Sequence, residues 1–124
     1  MQAWAEFSRE LQLQSEDWAR LRRDHPGVPI VVAGDLNQSL DGTNWYGSAA
    51  TARALAVALN GADLHCLTKE DVVGSGKLKT DHLVDHVCVS VELTADPHVT
   101  CWESVNDDSV RMSDHPGVVV SLTR

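Results

Sequence analysis

The stretch Pro29-Ile30-Val31-Val32-Ala33-Gly34-Asp35-Leu36-Asn37 decides how the rest of this chain is read. Ile30 to Ala33 is a short apolar run rich in β-branched residues, the pattern of a strand buried on both faces. It ends in Gly34-Asp35-Leu36-Asn37, so the strand delivers a carboxylate and a carboxamide to its C-terminal end, where open α/β sheets bind their ligands. On an extended segment Asp35 and Asn37 point the same way, about 7 Å apart by strand rise. A carboxylate in that place can hold or deprotonate a water while the amide hydrogen-bonds a phosphate oxygen. The same two residue types also make an ordinary turn after a strand.

Working outward, residues from Ala3 to Arg23 carry Trp4, Phe7, Leu11, Trp18 and Leu21 at a three/four spacing, which predicts an amphipathic helix. Arg20, Arg22 and Arg23 complement the dipole at its end, and Pro26-Gly27 stops it. Downstream, Gly34 to Tyr46 reads as a loop. Ser48 is placed to cap a second helix through Asn60, with Gly61 as the stop. Short strands are expected at Ala62 to Leu67, Leu83 to Val91, Val99 to Val105 and Val118 to Leu122. The polar stretch 69–80, with Gly74 and Gly76, reads as a mobile loop. This order predicts an α/β fold, with one mixed β-sheet and helices packed on one face.

The chain's 124 residues fit one domain, and 43% hydrophobic content is enough for a core. A net charge of -8 gives no help in gathering nucleic acid, which depends on Lys and Arg neutralising phosphates. It remains compatible with an acidic cluster that meets a phosphate through a cation. Lys77 and Lys79 are too few for a basic stripe. Cys66, Cys88 and Cys101 have no C-x-x-C spacing and read as free thiols. Met1 to Glu6 has no signal-peptide character, no apolar run approaches the ~20 residues of a membrane span, and a cytoplasmic location is expected.

Two further acidic segments follow in order. In Asp81-His82-Leu83-Val84-Asp85-His86 the His-x-x-x-His spacing suggests zinc, but only on a helix. The flanking Leu83, Val84, Val87 and Val89 favour a strand, where positions four apart are separated by roughly 13 Å, too far for one ion. Asp85 is then a carboxylate on a rigid strand, and His86 points to the opposite face. In Ser113-Asp114-His115-Pro116 a carboxylate and an imidazole precede the last strand. Beside carboxylates the protonated imidazole is favoured and can donate to charge developing on oxygen. Asp114 would touch a metal or water, and Ser113 would tie the loop to the site. The pentapeptide Asp-His-Pro-Gly-Val also occurs at Asp24 to Val28, where it has the composition of a helix C-terminal turn.

Together, Gly34 to Asn37, Val84 to Ser90 and Ser113 to Gly117 resemble the second half of the endonuclease/exonuclease/phosphatase superfamily. They match its G-D-x-N, hydrophobic-Asp-His strand and S-D-H-x-P motifs, with Pro116 one place early. Asn37-Gln38 through Asp41-Gly42 to Trp45-Tyr46-Gly47 is similar to a bacterial branch. The resemblance implies half of a four-layer α/β sandwich, with residues 1–124 as one partial domain whose N-terminal half is missing. It implies a phosphoesterase of nuclease or phosphatase type, dependent on Mg²⁺ or Mn²⁺, acting by in-line water attack on a phosphate-ester substrate. By the same resemblance Asp35 positions or activates the water and reaches the metal, and Asn37 holds a phosphate oxygen or that water. Asp85 orients His115, His115 stabilises the transition state, and Asp114 lies at the metal. The principal metal Glu of that family belongs to its first half, and Glu6, Glu10 and Glu16 lie on a helix and are not assigned to it. Two consequences are expected: self-association or a complementary half to cover a bare sheet face, and, as the alternative function, a catalytically silent interaction or assembly module.

Overall fold

In the computed structural model, which describes residues 2–94 and 96–123 and side chains from residue 5 onward, two helices and five strands follow in the order α1 (Gln2–Asp24), β1 (Val31–Asp35), α2 (Ala49–Gly61), β2 (Leu64–Cys66), β3 (Asp85–Ser90), β4 (His98–Trp102) and β5 (Gly117–Ser121). The class is α/β, with an arrangement of strands that differs from a single mixed sheet. β1, β3 and β2 form a three-stranded sheet in that order, and β4 and β5 form a second sheet of two. Every pairing is antiparallel. The division follows from the chain's path: after Ser90 it turns through a short 3₁₀ segment at Val91–Leu93, and among the described residues β4 and β5 then pair with each other alone.

The helices cover one face of the larger sheet. Leu11 and Trp18 from α1 and Leu55, Ala58 and Leu59 from α2 bury against Leu64 and Cys88, with Phe7, Val32 and Cys66 at the margin. Phe7, Leu11 and Trp18 thus form the expected stripe, whereas Leu21 is 42% exposed beyond the edge of the contact. Trp4, expected on this stripe, lies outside the residues whose side chains are described. Ser48 caps α2 through a reciprocal box with Thr51, and the helix runs through Gly61. Each such cap contributes about 1 kcal/mol.

β1 departs most from its sequence reading. A strand buried on both faces was expected, but β1 is an edge strand, and only Val32 of its five residues is better than exposed. Val32 faces the helices, while Val31 is 54% exposed on the other face. The 69–80 segment also differs from a mobile loop. Val72 and Leu78 are buried with Leu83, against Cys101 and Val118, forming a second small core that ties the loop to the β4–β5 sheet.

Candidate active site

The antiparallel register places Asp35 directly opposite Asp85 at the end of the β1–β3 ladder. Like charges in cross-strand pairs repel, so a cation between them is favoured. His115 occupies that place, carried by the bend that precedes β5. Its Nδ1 lies 2.5 Å from Asp85 Oδ2 and its Nε2 lies 3.9 Å from Asp35 Oδ2. Nδ1–H donates to Asp85, which turns Nε2 toward Asp35. The hydrogen bond to Asp85 raises the histidine's pKa from its ordinary value against the opposing effect of burial, and the charges of Asp85, Asp114 and Asp35 add to the rise. The three side chains are partly open to water, at 40% for Asp35, 25% for Asp85 and 32% for His115.

The turn after β1 is built by its own side chains. Gly34 takes φ of +146°, a conformation that side chains disfavour, and Asn37 takes φ of +51°, which asparagine tolerates. Asn37 N–H donates to Asp35 Oδ1 at 2.8 Å. The segment is therefore the tight turn that its residue types also allowed, and not an extended stretch, because the Asp35 carboxylate bonds the backbone two residues on. One Asp35 oxygen is spent on this turn and the other faces His115. On the far side, Ser113 Oγ accepts from His115 N–H at 3.2 Å, and Ser104 Oγ donates to Asp81 Oδ2 at 2.9 Å, which fixes the approach to the 113–116 bend.

Asn37, Asp114 and His115 line one cavity of about 170 Å³, together with Trp45, His82 and Pro116. Asp114 is exposed there and stands outside the group formed by Asp35, Asp85 and His115, whose ligand-capable atoms all lie within 4.8 Å of one another. A second cavity, of about 220 Å³, brings Glu10 and Gln14 of α1 beside Asp35 and Asn37. Glu10 was passed over in the sequence because helical position alone gives no sign of which carboxylate will overhang a strand end.

Behind the site lies a buried polar hub that the sequence did not announce. Gln38 is fully buried, and its Nε2 donates to the carbonyls of Ser39, Tyr46 and Ser48 at 2.9, 3.0 and 3.4 Å, while Thr51 Oγ1 donates to its Oε1. Gly47 permits this packing: its φ is +83°, and a Cβ there would lie 2.0 Å from Gln38 Oε1. His86, on the face opposite Asp85 as expected and fully buried, donates from Nε2 to Gln38 O at 2.7 Å and meets Thr68 Oγ1 through Nδ1 at 2.8 Å. The loop bearing Asn37 is thus bolted to β3 from below.

His82 and His86 do not converge. His82 instead joins Asp41 and Asp71, with Nδ1 at 2.8 Å from Asp41 Oδ2 and 3.5 Å from Asp71 Oδ1. Burial opposes ionisation of Asp41, but the Thr43 hydroxyl and N–H and His82 outweigh it and leave its pKa lowered. Trp45 lies against the His82 ring, with centroids 5.5 Å apart. Each carboxylate is already engaged, Asp41 Oδ1 with Thr43 and Asp71 Oδ1 with Gly74 N–H, so this group pins the 41–46 loop. Lys77 pairs with Glu70 at 2.6 Å and donates to the Val99 carbonyl.

No protein-family model, curated protein or solved structure matches this chain. Among the described residues, no helix is long and apolar enough to cross a membrane.

Proposed function

We propose that this chain carries the water-activating and phosphate-contacting side of a metal-dependent phosphoesterase site. The observation that supports it is the Asp85–His115–Asp35 arrangement across the β1–β3 strand ends, with Asn37 on the adjoining turn. Asp85 orients the His115 ring and favours its imidazolium, leaving Nε2–H free to donate to a phosphoryl oxygen. Asp35 Oδ2, beside that position, accepts the proton of an attacking water. The Asn37 amide donates to a second phosphoryl oxygen, and the charge that accumulates in the transition state is stabilised by fixed donors.

The residues suit Mg²⁺ or Mn²⁺, which bind through one or two carboxylates, several waters and the substrate phosphate. Asp114, exposed at the rim of the cavity, would hold the ion together with the Asp35 carboxylate; Asp85 is committed to His115. Such an ion supplies Lewis-acid neutralisation of the phosphoryl charge. The open face that carries Asp35 and Val31 is where the second sheet of a four-layer sandwich would pack, by a partner segment or by self-association. The test is hydrolysis of a panel of phosphodiesters and phosphomonoesters with Mg²⁺ or Mn²⁺ by the chain and by Asp35→Asn. Metal-dependent turnover lost in the variant supports the reading, and equal turnover in both refutes it.

A second reading, an assembly module without chemistry, is favoured by the same exposed Val31 face. It expects self-association with no Mg²⁺-dependent rise in Tm.

A further inference from the structure

The helix-covered face of the sheet carries a pair of thiols that the candidate site does not use. Cys66 on β2 and Cys88 on β3 stand directly opposite each other. At the next rung Leu67 N–H donates to Val87 O at 2.9 Å. Leu67 and Val87 are therefore a hydrogen-bonded pair, and Cys66 and Cys88 a non-hydrogen-bonded pair, the kind whose Cα atoms approach to about 4.5 Å. Disulfides span Cα separations of about 4.4–6.8 Å, so a bridge here needs no strand movement.

The two thiols differ in access and in chemistry. Cys88 is fully buried, whereas Cys66 is partly exposed and lines a cavity of about 180 Å³ with His65 and Lys69. Cys66 Sγ lies 3.4 Å from Thr68 Oγ1 and 3.7 Å from His86 Nδ1. The Cys88 thiol pointing at Cys66, aided by His86 and Thr68, holds the Cys66 thiol well below its ordinary pKa despite burial. Donating to Cys66 and being buried push Cys88 the other way. A thiolate that can be reached, set beside a thiol that cannot, is the pattern of an attacking and a resolving cysteine.

We propose that Cys66 and Cys88 form a peroxide-reactive dithiol in which Cys66 reacts first and Cys88 resolves it. The Cys66 thiolate attacks one oxygen of hydrogen peroxide. An S–O bond forms, the O–O bond breaks, and hydroxide leaves. The Cys88 sulfur then attacks the Cys66 sulfenic sulfur. An S–S bond forms, the S–O bond breaks, and the departing hydroxide takes the Cys88 proton as water. Across both steps two thiols lose two hydrogens and the peroxide is reduced to two waters. Cys101 lies on β4 in the other sheet and serves as an internal control. The proposal does not rest on the phosphoesterase reading.

The test is peroxide treatment of the folded chain, followed by denaturation, alkylation and peptide mass mapping. The expected result is a Cys66–Cys88 bridge two hydrogens lighter than the dithiol, with Cys101 alkylated. Before oxidation, Cys66 should alkylate about tenfold or more faster than Cys101 near pH 6, where an ordinary thiol is almost wholly protonated. In Cys88→Ser or Cys88→Ala, dimedone should trap a sulfenic acid at Cys66. Three alkylatable cysteines after peroxide, a bridge to Cys101, or a sulfenic acid on Cys88 in Cys66→Ser would overturn the proposal. The wild-type mapping stands whether or not a variant folds.

Discussion

Asp85 and His86 are consecutive on β3, yet one faces partly open space and the other is fully buried against Gln38 and Thr68. The difference is sharpest at the Asp35 end of the sheet, since Val89, opposite Val31 on the same face, is itself buried. The helix-covered face, with Val32, Cys66, Cys88 and His86, is packed, and its histidine has a partner at each ring nitrogen. The opposite face, with Val31, Asp35 and Asp85, is where His115 and the exposed apolar surface lie. At this end of β3 the two sides of one strand divide the buried from the accessible, and substitutions at Asp35 or Asp85 and at the helix-packed core should separate activity from stability.

The largest effect expected is on the open face. Asp35→Ala should lower phosphoester hydrolysis by about 10²–10⁴-fold, the usual contribution of a positioned acid or base, with Tm nearly unchanged. A large fall in Tm would show that Asp35 serves the turn more than the chemistry. Next, on the covered face, Leu55→Ala should cost about 2–5 kcal/mol in denaturant unfolding, since Leu55 is 1% exposed at the centre of the core. A cost under about 1 kcal/mol would mean that the helix layer can collapse around the gap.

How far the sequence foretold this division depends on the reach of each signal. The Ser48 cap and the helical stripe at Phe7, Leu11 and Trp18 are local patterns and lie where capping and periodicity put them, and the β1 run is a strand, though shifted onward to Val31–Asp35. Asp35, Asp85 and His115 could be named from three short motifs, because strand-end placement follows from local pattern. What was illegible is non-local. Whether β1 is central or at an edge depends on which strand pairs beside it, and an apolar run of four residues reads the same in both places. Gln38, a polar residue in a polar loop, shows no sign of burial until Gly47 is seen to bend the chain over it. Val72 and Leu78 are lone apolar residues in a polar stretch, and only the return of β5 gives them a core.

A subtler probe is the titration of His115. Its pKa in the folded chain is raised, so its contribution to stability is fully present below about pH 6.5, the unfolded value, and is lost as pH rises through the higher folded value. Asp85→Asn should bring the His115 midpoint down and flatten that part of the stability profile. An unchanged midpoint, read from the ring proton shifts, would remove Asp85 as the orienting partner. The smallest effect on the folded monomer is expected at Val31→Lys, within about 0.5 kcal/mol because the side chain is half exposed. The same change should reduce self-association in sedimentation velocity. An identical distribution of species would mean that the open face is not the contact.

The central claim is that His115, held by Asp85 and set against Asp35, is a phosphate contact. The most direct measurement is titration of inorganic phosphate, with Mg²⁺ present, against the His115 ring resonances of the whole chain. A saturable shift of His115 that is lost in Asp85→Asn is the predicted result. Ring signals that stay fixed while phosphate rises, or a shift that persists undiminished in Asp85→Asn, would contradict the claim.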